Sequence, residues 1–353
     1  MKRNNIIMYL LILLYSAFSM ASCDVHEFPD VPDTPPVYTG KLPYVLNLDC
    51  NTELPFHKEV IYTTRSTDVE EEHDMRYIVN VYRSDNARDF NRVADTTIVF
   101  TKSLEEERSH SLQLNLEQGL YKFIVWSDHV DKGTDCDKYY NTADFAEIIY
   151  ADRKNYEGNN DFQDAFRGSE QDSVVYRTDA DGEIIPQKVT VQMSRPFAKF
   201  QFIATDLAEF VTRVTEERAA SGDGATRSVN PEDYRLVFRY TGYMPCSYNM
   251  FTNRPADAWT GISFEGRPAP IDEHEVDLGF DYVFVNGTET HISVALEMYD
   301  RQGELVSSTR TIDVPIVRNK LTIVRGKFLT SKVTTGNMGI NPDYEDDYNI
   351  EIK

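Results

Sequence analysis

The sequence predicts an all-β fold of two tandem antiparallel β-sandwich domains with one short helix. Several segments alternate apolar and polar residues with a period of two, the pattern of a strand with one buried face. The clearest runs are Leu112, Leu114, Leu116 and Ile292, Val294, Leu296, Met298. No long segment of helical period separates the strands, which favours antiparallel sheets over alternating β and α units. A length of 353 residues favours two domains over one.

The N-terminal region carries the features of an export signal followed by a tether. Two basic residues precede an apolar run from 6 to 18, which is too short for a comfortable membrane span. Met20-Ala-Ser-Cys23 resembles a lipoprotein cleavage site, with Met in place of the usual Leu. We therefore expect a signal peptide at 1–22, a lipid on Cys23 that anchors the chain to the outer membrane, and an extended tether at 23–41. The alternative is ordinary secretory cleavage beside a chance cysteine.

Residues 42–186 are predicted to form the N-terminal sandwich. Phe123 and Val125 share one face of a strand while Ile124 and Trp126 share the other. Because both faces are apolar, we expect this strand to be central in its sheet.

A long irregular region follows, and its first part is acidic. Asp131, Asp135 and Asp137 lie close together, and their oxygens could in principle bind calcium. Their spacing differs from that of an EF-hand, and acidic loops are common in a chain this acidic. We therefore predict a solvated loop and no metal site.

Residues 187–353 are predicted to form the C-terminal sandwich. The apolar parity flips across Arg195-Pro196, which predicts a bulge or a strand that crosses between sheets. Thr205-Asp206 is predicted to cap the one short helix. The residues expected in the core here are Phe200, Phe202, Leu296 and Ile323.

The stretch Val314–Thr330 is predicted to be one long strand that ends the core. Pro315 suits the start of a strand or a sheet edge, because proline cannot donate to the ladder. The apolar parity slips between Ile323 and Val324, and Gly326 follows. This combination predicts a bulge or bend at that point.

Charge and motifs argue against several classes of function. A formal net charge of −22 repels nucleic acid. The seven histidines are scattered without a ligand spacing, and the sequence has no nucleophile elbow, phosphate loop or dinucleotide motif. We therefore expect no catalytic residue and no cofactor. With Cys23 acylated, Cys50, Cys136 and Cys246 remain, an odd number that allows at most one disulfide.

Three stretches resemble the fimbrillin-like lipoproteins, a family that includes type V pilus subunits of anaerobic Gram-negative bacteria. They are Gly119-x-Tyr121, the segment from Arg195 to Phe202, and Val314–Thr330. The resemblance implies transthyretin-like sandwiches and a surface-exposed, non-catalytic anchor, tip or accessory subunit. Subunits of the family join by inserting a strand of one into a groove of the next, so other fimbrillin-like subunits are the implied partners. The sequence departs from polymerising subunits in lacking a clear processed strand near residue 65.

The C-terminal tail ends in another segment of period two. Tyr348, Ile350 and Ile352 share one face, and such a segment needs a sheet edge to complete it. Two alternatives remain open. The segment pairs with its own sandwich, or it enters the groove of a partner.

Glycan binding in a polysaccharide-uptake system is the alternative function. Aromatic side chains can stack on sugar rings, and the loop 254–261 carries Trp259 at a position that we expect to be exposed. The opposing interpretation is that Tyr and Phe favour strands and fill the two cores.

Overall fold

The structure, a computed structural model, describes residues 38–50, 72–84, 86, 89–90, 92–104, 106, 108–221, 229–331 and 348–353. Cys23 and the signal peptide lie outside these residues. Within them the chain folds mainly into strands and has a single α-helix, α1 (Leu207–Ser221). Two 3-10 turns, Asp161–Gln163 and Pro231–Asp233, complete the helical content of the described part. The predicted all-β class is confirmed.

The first sheet has seven strands and contains most of the strands in the N-terminal half. The strands of this half are β1 (Leu42–Cys50), β2 (His73–Arg83), β3 (Thr96–Ser103), β4 (His110–Leu116), β5 (Gly119–Asp131), β6 (Tyr140–Asn141), β7 (Ile148–Tyr150), β8 (Phe166–Val174) and β9 (Gln187–Ser194). The order in the sheet is β3-β2-β5-β8-β9-β1-β4. β8 and β9 pair through two residues only, and Tyr44 of β1 stacks on Phe123 of β5 at 5.6 Å. The sheet therefore folds over at this corner into a sandwich.

Two five-stranded sheets make up most of the C-terminal half. Its strands are β10 (Phe197–Ala204), β11 (Arg235–Tyr240), β12 (Met244–Pro245), β13 (Ser247–Asn249), β14 (Arg254–Pro255), β15 (Ala258–Trp259), β16 (Ser263–Glu265), β17 (Ala269–Pro270), β18 (Val276–Phe284), β19 (Glu289–Tyr299), β20 (Leu305–Ser308), β21 (Ile312–Val317), β22 (Leu321–Gly326) and β23 (Tyr348–Ile352). One sheet has the order β17-β18-β10-β22-β23, and the other has β16-β11-β19-β20 with β21 also on β19. Phe202 of the first meets Phe238 of the second at 5.6 Å, so the two sheets pack face to face.

β5 is a central strand, as its apolar faces predict. It lies between β2 and β8. Phe123 and Val125 are buried inside the first sandwich, and Ile124 and Trp126 are buried on the opposite face. There Trp126 meets Tyr140 edge-on, with ring centroids 5.3 Å apart.

β9 lies in the first sheet, although residues 187–353 are predicted to form the second domain. It runs parallel to β1, from Gln187 beside Tyr44 to Met193 beside Cys50. Its apolar side chains complete the first core, and the chain then crosses to the second half at Arg195-Pro196, where the parity flips. Residues 41–353 form one compact unit. The predicted boundary between 186 and 187 stays a prediction.

The four predicted core residues of the C-terminal half are buried. Phe200 and Phe202 are fully enclosed, and Leu296 and Ile323 are nearly so. β10 is covered on both faces, so all of its side chains are buried, whereas an outer strand alternates buried and exposed side chains. The core assignment of these four residues is confirmed.

The prediction of one strand over Val314–Thr330 is wrong. β21 belongs to one sheet and β22 to the other. The chain turns between them at Asn319, whose φ of 59° lies in the left-handed region that asparagine tolerates. The change of sheet therefore comes earlier than the parity slip predicts. Pro315 does lie on an edge strand, since β21 pairs with β19 alone among the described strands.

Candidate functional site at the C-terminal sheet edge

The last strand of the chain completes the sheet that contains β10 and β22. β23 runs antiparallel to β22, with Thr322 beside Ile352 and Gly326 beside Tyr348. Leu321 and Lys353 exchange both backbone bonds, at 3.2 and 2.9 Å. β23 has no second partner among the described strands, so it is the edge strand of this sheet.

The apolar contact from the two isoleucines of β23 is small. Ile350 lies opposite Val324, which is fully buried, and packs half-buried against the core. Ile352 remains 44% exposed. Backbone pairing and one half-buried aliphatic side chain therefore account for most of the attachment.

Charged side chains line the other face of this edge. Arg325 lies 3.3 Å from Glu351 of β23 and 3.5 Å from Glu275. Glu351 also approaches Lys353 at 3.6 Å. Partly exposed pairs of this kind add little stability, but they favour one strand register over others.

The segment just after β22 is held by helix α1. The carboxylate of Asp206 accepts hydrogen bonds from the backbone N–H groups of Leu329 and Thr330, at 3.3 and 2.8 Å, and from the Thr330 hydroxyl at 2.7 Å. The guanidinium of Arg213 donates to the carbonyl oxygens of the same two residues, at 3.1 and 3.3 Å. We call this arrangement the clasp. It satisfies the backbone N–H and C=O groups of both residues.

Further bonds extend this hold along the same segment. The carbonyl of Gly326 accepts from the N–H of Thr205 at 2.9 Å. The carbonyl of Phe328 accepts from the Ser307 hydroxyl at 2.6 Å, and Phe328 itself is buried. Because α1 and β20 bind this segment, the position at which the tail begins does not depend on β23.

The sequence of this compact unit matches one known family. A profile of DUF6562, described as a family of unknown function, matches residues 41–353. The chain belongs to the DUF6562 family. No curated protein matches it.

Solved structures resemble the DUF6562 chain at low identity. One is a candidate polysaccharide-binding protein from Bacteroides thetaiotaomicron, with 10% identity, a TM-score of 0.43, and coverage of 81% of this chain and 91% of that one. Another is the fimbrial anchor protein Mfa2 from Porphyromonas gingivalis, with 11% identity, a TM-score of 0.42, and coverage of 88% and 97%. A third is a candidate adhesin from Bacteroides thetaiotaomicron, with 10% identity, a TM-score of 0.44, and coverage of 83% and 92%.

Trp259 is buried, so the expectation that it is exposed is wrong. Its relative exposure is 7%. The loop that carries it forms the short strand β15, which pairs with β12. Its indole packs near Tyr150, with centroids 6.2 Å apart, and Arg153 covers it at 5.6 Å. These contacts occupy the faces on which a sugar ring would stack.

The acidic loop is bound by protein cations and hydroxyls. Arg76 donates to the carbonyl of Asp135 at 2.8 Å and to the carboxylate of Asp137 at 2.9 Å. Lys138 forms an ion pair with Asp131. Among the described residues, no group of three or more His, Cys, Asp or Glu is placed to hold a metal ion.

The three cysteines of the described residues are free thiols. Cys50 and Cys246 are buried free thiols, and Cys136 is an exposed one. Burial raises the pKa of Cys50 to about 11 and that of Cys246 to about 12. No helix in the described part of the chain is long and apolar enough to cross a membrane.

Sequence reasoning missed a buried carboxylate. Asp281 is fully buried and accepts hydrogen bonds from the hydroxyls of Tyr240 and Tyr156, at 2.7 and 2.9 Å, and from the N–H of Tyr282 at 2.8 Å. Burial raises the pKa of Asp281 to about 7. The available signal was an acid between two aromatic residues in an apolar strand.

The clasp was also missed. Asp206 is predicted to lie at the start of the helix, but nothing local indicates that its carboxylate reaches residues more than 120 positions away.

Proposed function

We propose that this DUF6562 chain is a non-catalytic lipoprotein of the outer cell surface that takes part in a pilus-type or adhesive assembly by β-strand addition. The observation that carries the proposal is β23, an edge strand attached through one neighbour beside a segment that is held independently. A partner strand that replaces β23 meets the backbone donors and acceptors of the β22 edge, and alternating side chains give that pairing its register. The resemblance at Gly119-x-Tyr121 and Val314–Thr330 points to the same mode.

The position of β1 favours the C-terminal edge as the working edge. β1 lies between β4 and β9 in the sheet. It also follows the tether, so a cut between β1 and β2 would break the covalent link between the rest of the protein and a lipid on Cys23. An uncut, anchored chain keeps β1 in place, and β23 is then the strand that can be exchanged.

Membrane attachment through Cys23 has a direct test. Cys23→Ala should move the protein from the outer-membrane fraction to the soluble fraction, because the lipid supplies the anchor. Cys136→Ser is the matched control and should leave the protein in the membrane fraction. Membrane retention of the Cys23 variant would contradict the lipid assignment.

Strand addition can be tested by locking β23 in place. Arg325 and Asn349 lie directly opposite each other, and opposite residues of an antiparallel pair are close enough for a disulfide. The variant Arg325→Cys/Asn349→Cys, in a Cys136→Ser background, should fold normally and lose its cross-linked surface partners when oxidised. Reduction should restore them, while oxidation should change the partners of neither single cysteine variant.

An oxidised variant that retains all its partners would contradict the proposal. The alternative of glycan binding has lost the residue on which it rested, since Trp259 is enclosed by protein.

A further inference from the structure

The edge of β22 does not depend on β23 for its place in the sheet. β22 pairs in parallel with β10 along its whole length, from Lys199 beside Leu321 to Ala204 beside Gly326. Ile323 and Val324 are buried. The clasp and the bonds around Phe328 hold the residues that follow. Departure of β23 would therefore expose a preformed edge with a fixed conformation.

We infer that this edge is a receptor for an extended partner segment that runs antiparallel to β22 and has an aliphatic–acidic–aliphatic sequence, with β23 as its internal competitor. The inference rests on the proposed function, because it names the kind of partner that the same edge selects.

The aliphatic positions follow from the core face of β22. Val324 is fully buried and faces Ile350, while Thr322 is fully buried and faces Ile352. A partner strand in the same register places two side chains over these residues. An aliphatic side chain over Val324 restores the packing that Ile350 supplies, and a polar one there would lose its water without gaining a partner.

The acidic position follows from the opposite face. Between the two aliphatic residues, Glu351 lies within 3.3 Å of Arg325. When β23 leaves, Arg325 loses Glu351 and keeps Glu275 at 3.5 Å, while Lys320 lies at the start of the strand. An acid in the partner meets this local positive charge, while a basic residue there is repelled.

The internal competitor is weak enough to be displaced. β23 pairs over five residues, and sixteen residues separate it from Ser331. A strand that is tethered to the edge it occupies competes at an effective concentration of about millimolar. A partner strand can displace β23 if it pairs along more of β22, or if other contacts between the subunits hold it near this edge.

The test uses the full chain and a labelled hexapeptide, Tyr-Asn-Ile-Glu-Ile-Lys. Two variants weaken the internal strand. Ile350→Asp removes the aliphatic contact, and Glu351→Pro removes the N–H that bonds to Ile323 in the alternating pattern set by Leu321 and Lys353. Hydrogen exchange verifies that β23 is released and that the β22 amides bonded to β10 stay protected.

Both variants should bind the peptide at least tenfold more tightly than the wild-type chain does. Replacing the glutamate of the peptide by lysine should weaken binding about tenfold. Adding Arg325→Glu to either variant should reverse this preference, so that the lysine peptide binds better.

Equal binding of a peptide with the same composition and a shuffled order would overturn the inference. Absence of binding to a variant with released β23 and protected β22 would overturn it too. The proposed function fails by a different result. It fails if the oxidised Arg325→Cys/Asn349→Cys variant keeps its partners on the cell surface.

Discussion

The first and last strands of the body show how differently two terminal strands can be built into one protein. β1 has nine residues and pairs with β4 on one side and β9 on the other, over seven residues each. Its buried side chains are Leu42, Tyr44, Leu46, Leu48 and Cys50. β23 has five residues, one neighbour, and one half-buried aliphatic side chain. β1 is part of a core, whereas β23 completes an edge.

The difference separates structural from exchangeable pairing. Loss of β1 would open the interior of the first sandwich, leave β4 without its neighbour, and leave β9 paired with β8 alone. Loss of β23 would expose the edge of β22 and would remove little aliphatic packing, since Ile350 is half-buried and Ile352 is exposed. We therefore expect global stability to depend on β1, and partner binding to depend on β23.

Truncation in β1 should produce the largest effect. Leu46→Ala removes a fully buried side chain and should lower the free energy of unfolding by about 2–5 kcal/mol, since both transfer and cavity terms are lost. Denaturant unfolding measures this. A loss below about 1 kcal/mol would mean that β1 is also dispensable and would remove the contrast with β23.

The free energy of unfolding should depend on pH through Asp281 in the core, whereas the release of β23 should not. Asp281 has a folded-state pKa of about 7, above the usual value of about 4 in an unfolded chain. Its contribution to stability is therefore present below about pH 4 and is lost as the pH rises through about 7, by at most about 4 kcal/mol. Asp281→Asn should flatten this part of the curve.

Unfolding titrations between pH 4 and 8 provide the measurement. The fraction of released β23, followed by hydrogen exchange after correction for intrinsic rates, should not follow this step. An Asp281→Asn protein with an unchanged pH profile would contradict the assignment.

Breaking the clasp should have an intermediate effect. Asp206→Ala leaves the N–H groups of Leu329 and Thr330 without their partner and should cost about 1–3 kcal/mol. Glu209→Ala is the control, because its bond to Lys327 is exposed and worth at most about 1 kcal/mol. In the Asp206 variant, protection of β22 should also fall toward that of β23. Equal effects of the two substitutions would show that the clasp does not stabilise the edge.

Trimming β23 should have the smallest effect. Ile350→Ala removes a half-buried side chain and should lower global stability by less than about 1.5 kcal/mol, because the site is open to solvent and leaves no closed cavity. The matched substitution at the exposed Ile352 should be within about 0.5 kcal/mol of wild type. A loss at Ile350 as large as that at Leu46 would make β23 a core strand.

Local pattern predicted much of this fold, and its failures have a common cause. Alternation identified β4, β19 and the two-faced β5, and it placed Phe202 in the core. The membership of β9 in the first sheet depends on pairing with a strand more than 140 residues away, which periodicity does not encode. The same limit applies to Trp259, whose loop becomes a short buried strand only through contacts with Tyr150 and β12.

The sequence predicted the strand of the candidate site but not the edge that it pairs with, because the edge depends on residues far apart in the chain. The alternation of Tyr348, Ile350 and Ile352 indicated a strand that needs an edge, and self-pairing was one of the two open alternatives. The identity of the edge, and the clasp that makes it independent of β23, arise from contacts between residues far apart in the chain.

Native-state hydrogen exchange tests the central claim most directly, because it measures the opening free energy of each strand in the unmodified chain. We predict that the amides of β23 exchange through local opening, at a free energy well below that of global unfolding. The amides that join β22 to β10, and those of β1, should exchange only near the global value. Equal protection of β23 and β22 would contradict the account, since the last strand would then be as integral to the fold as the first.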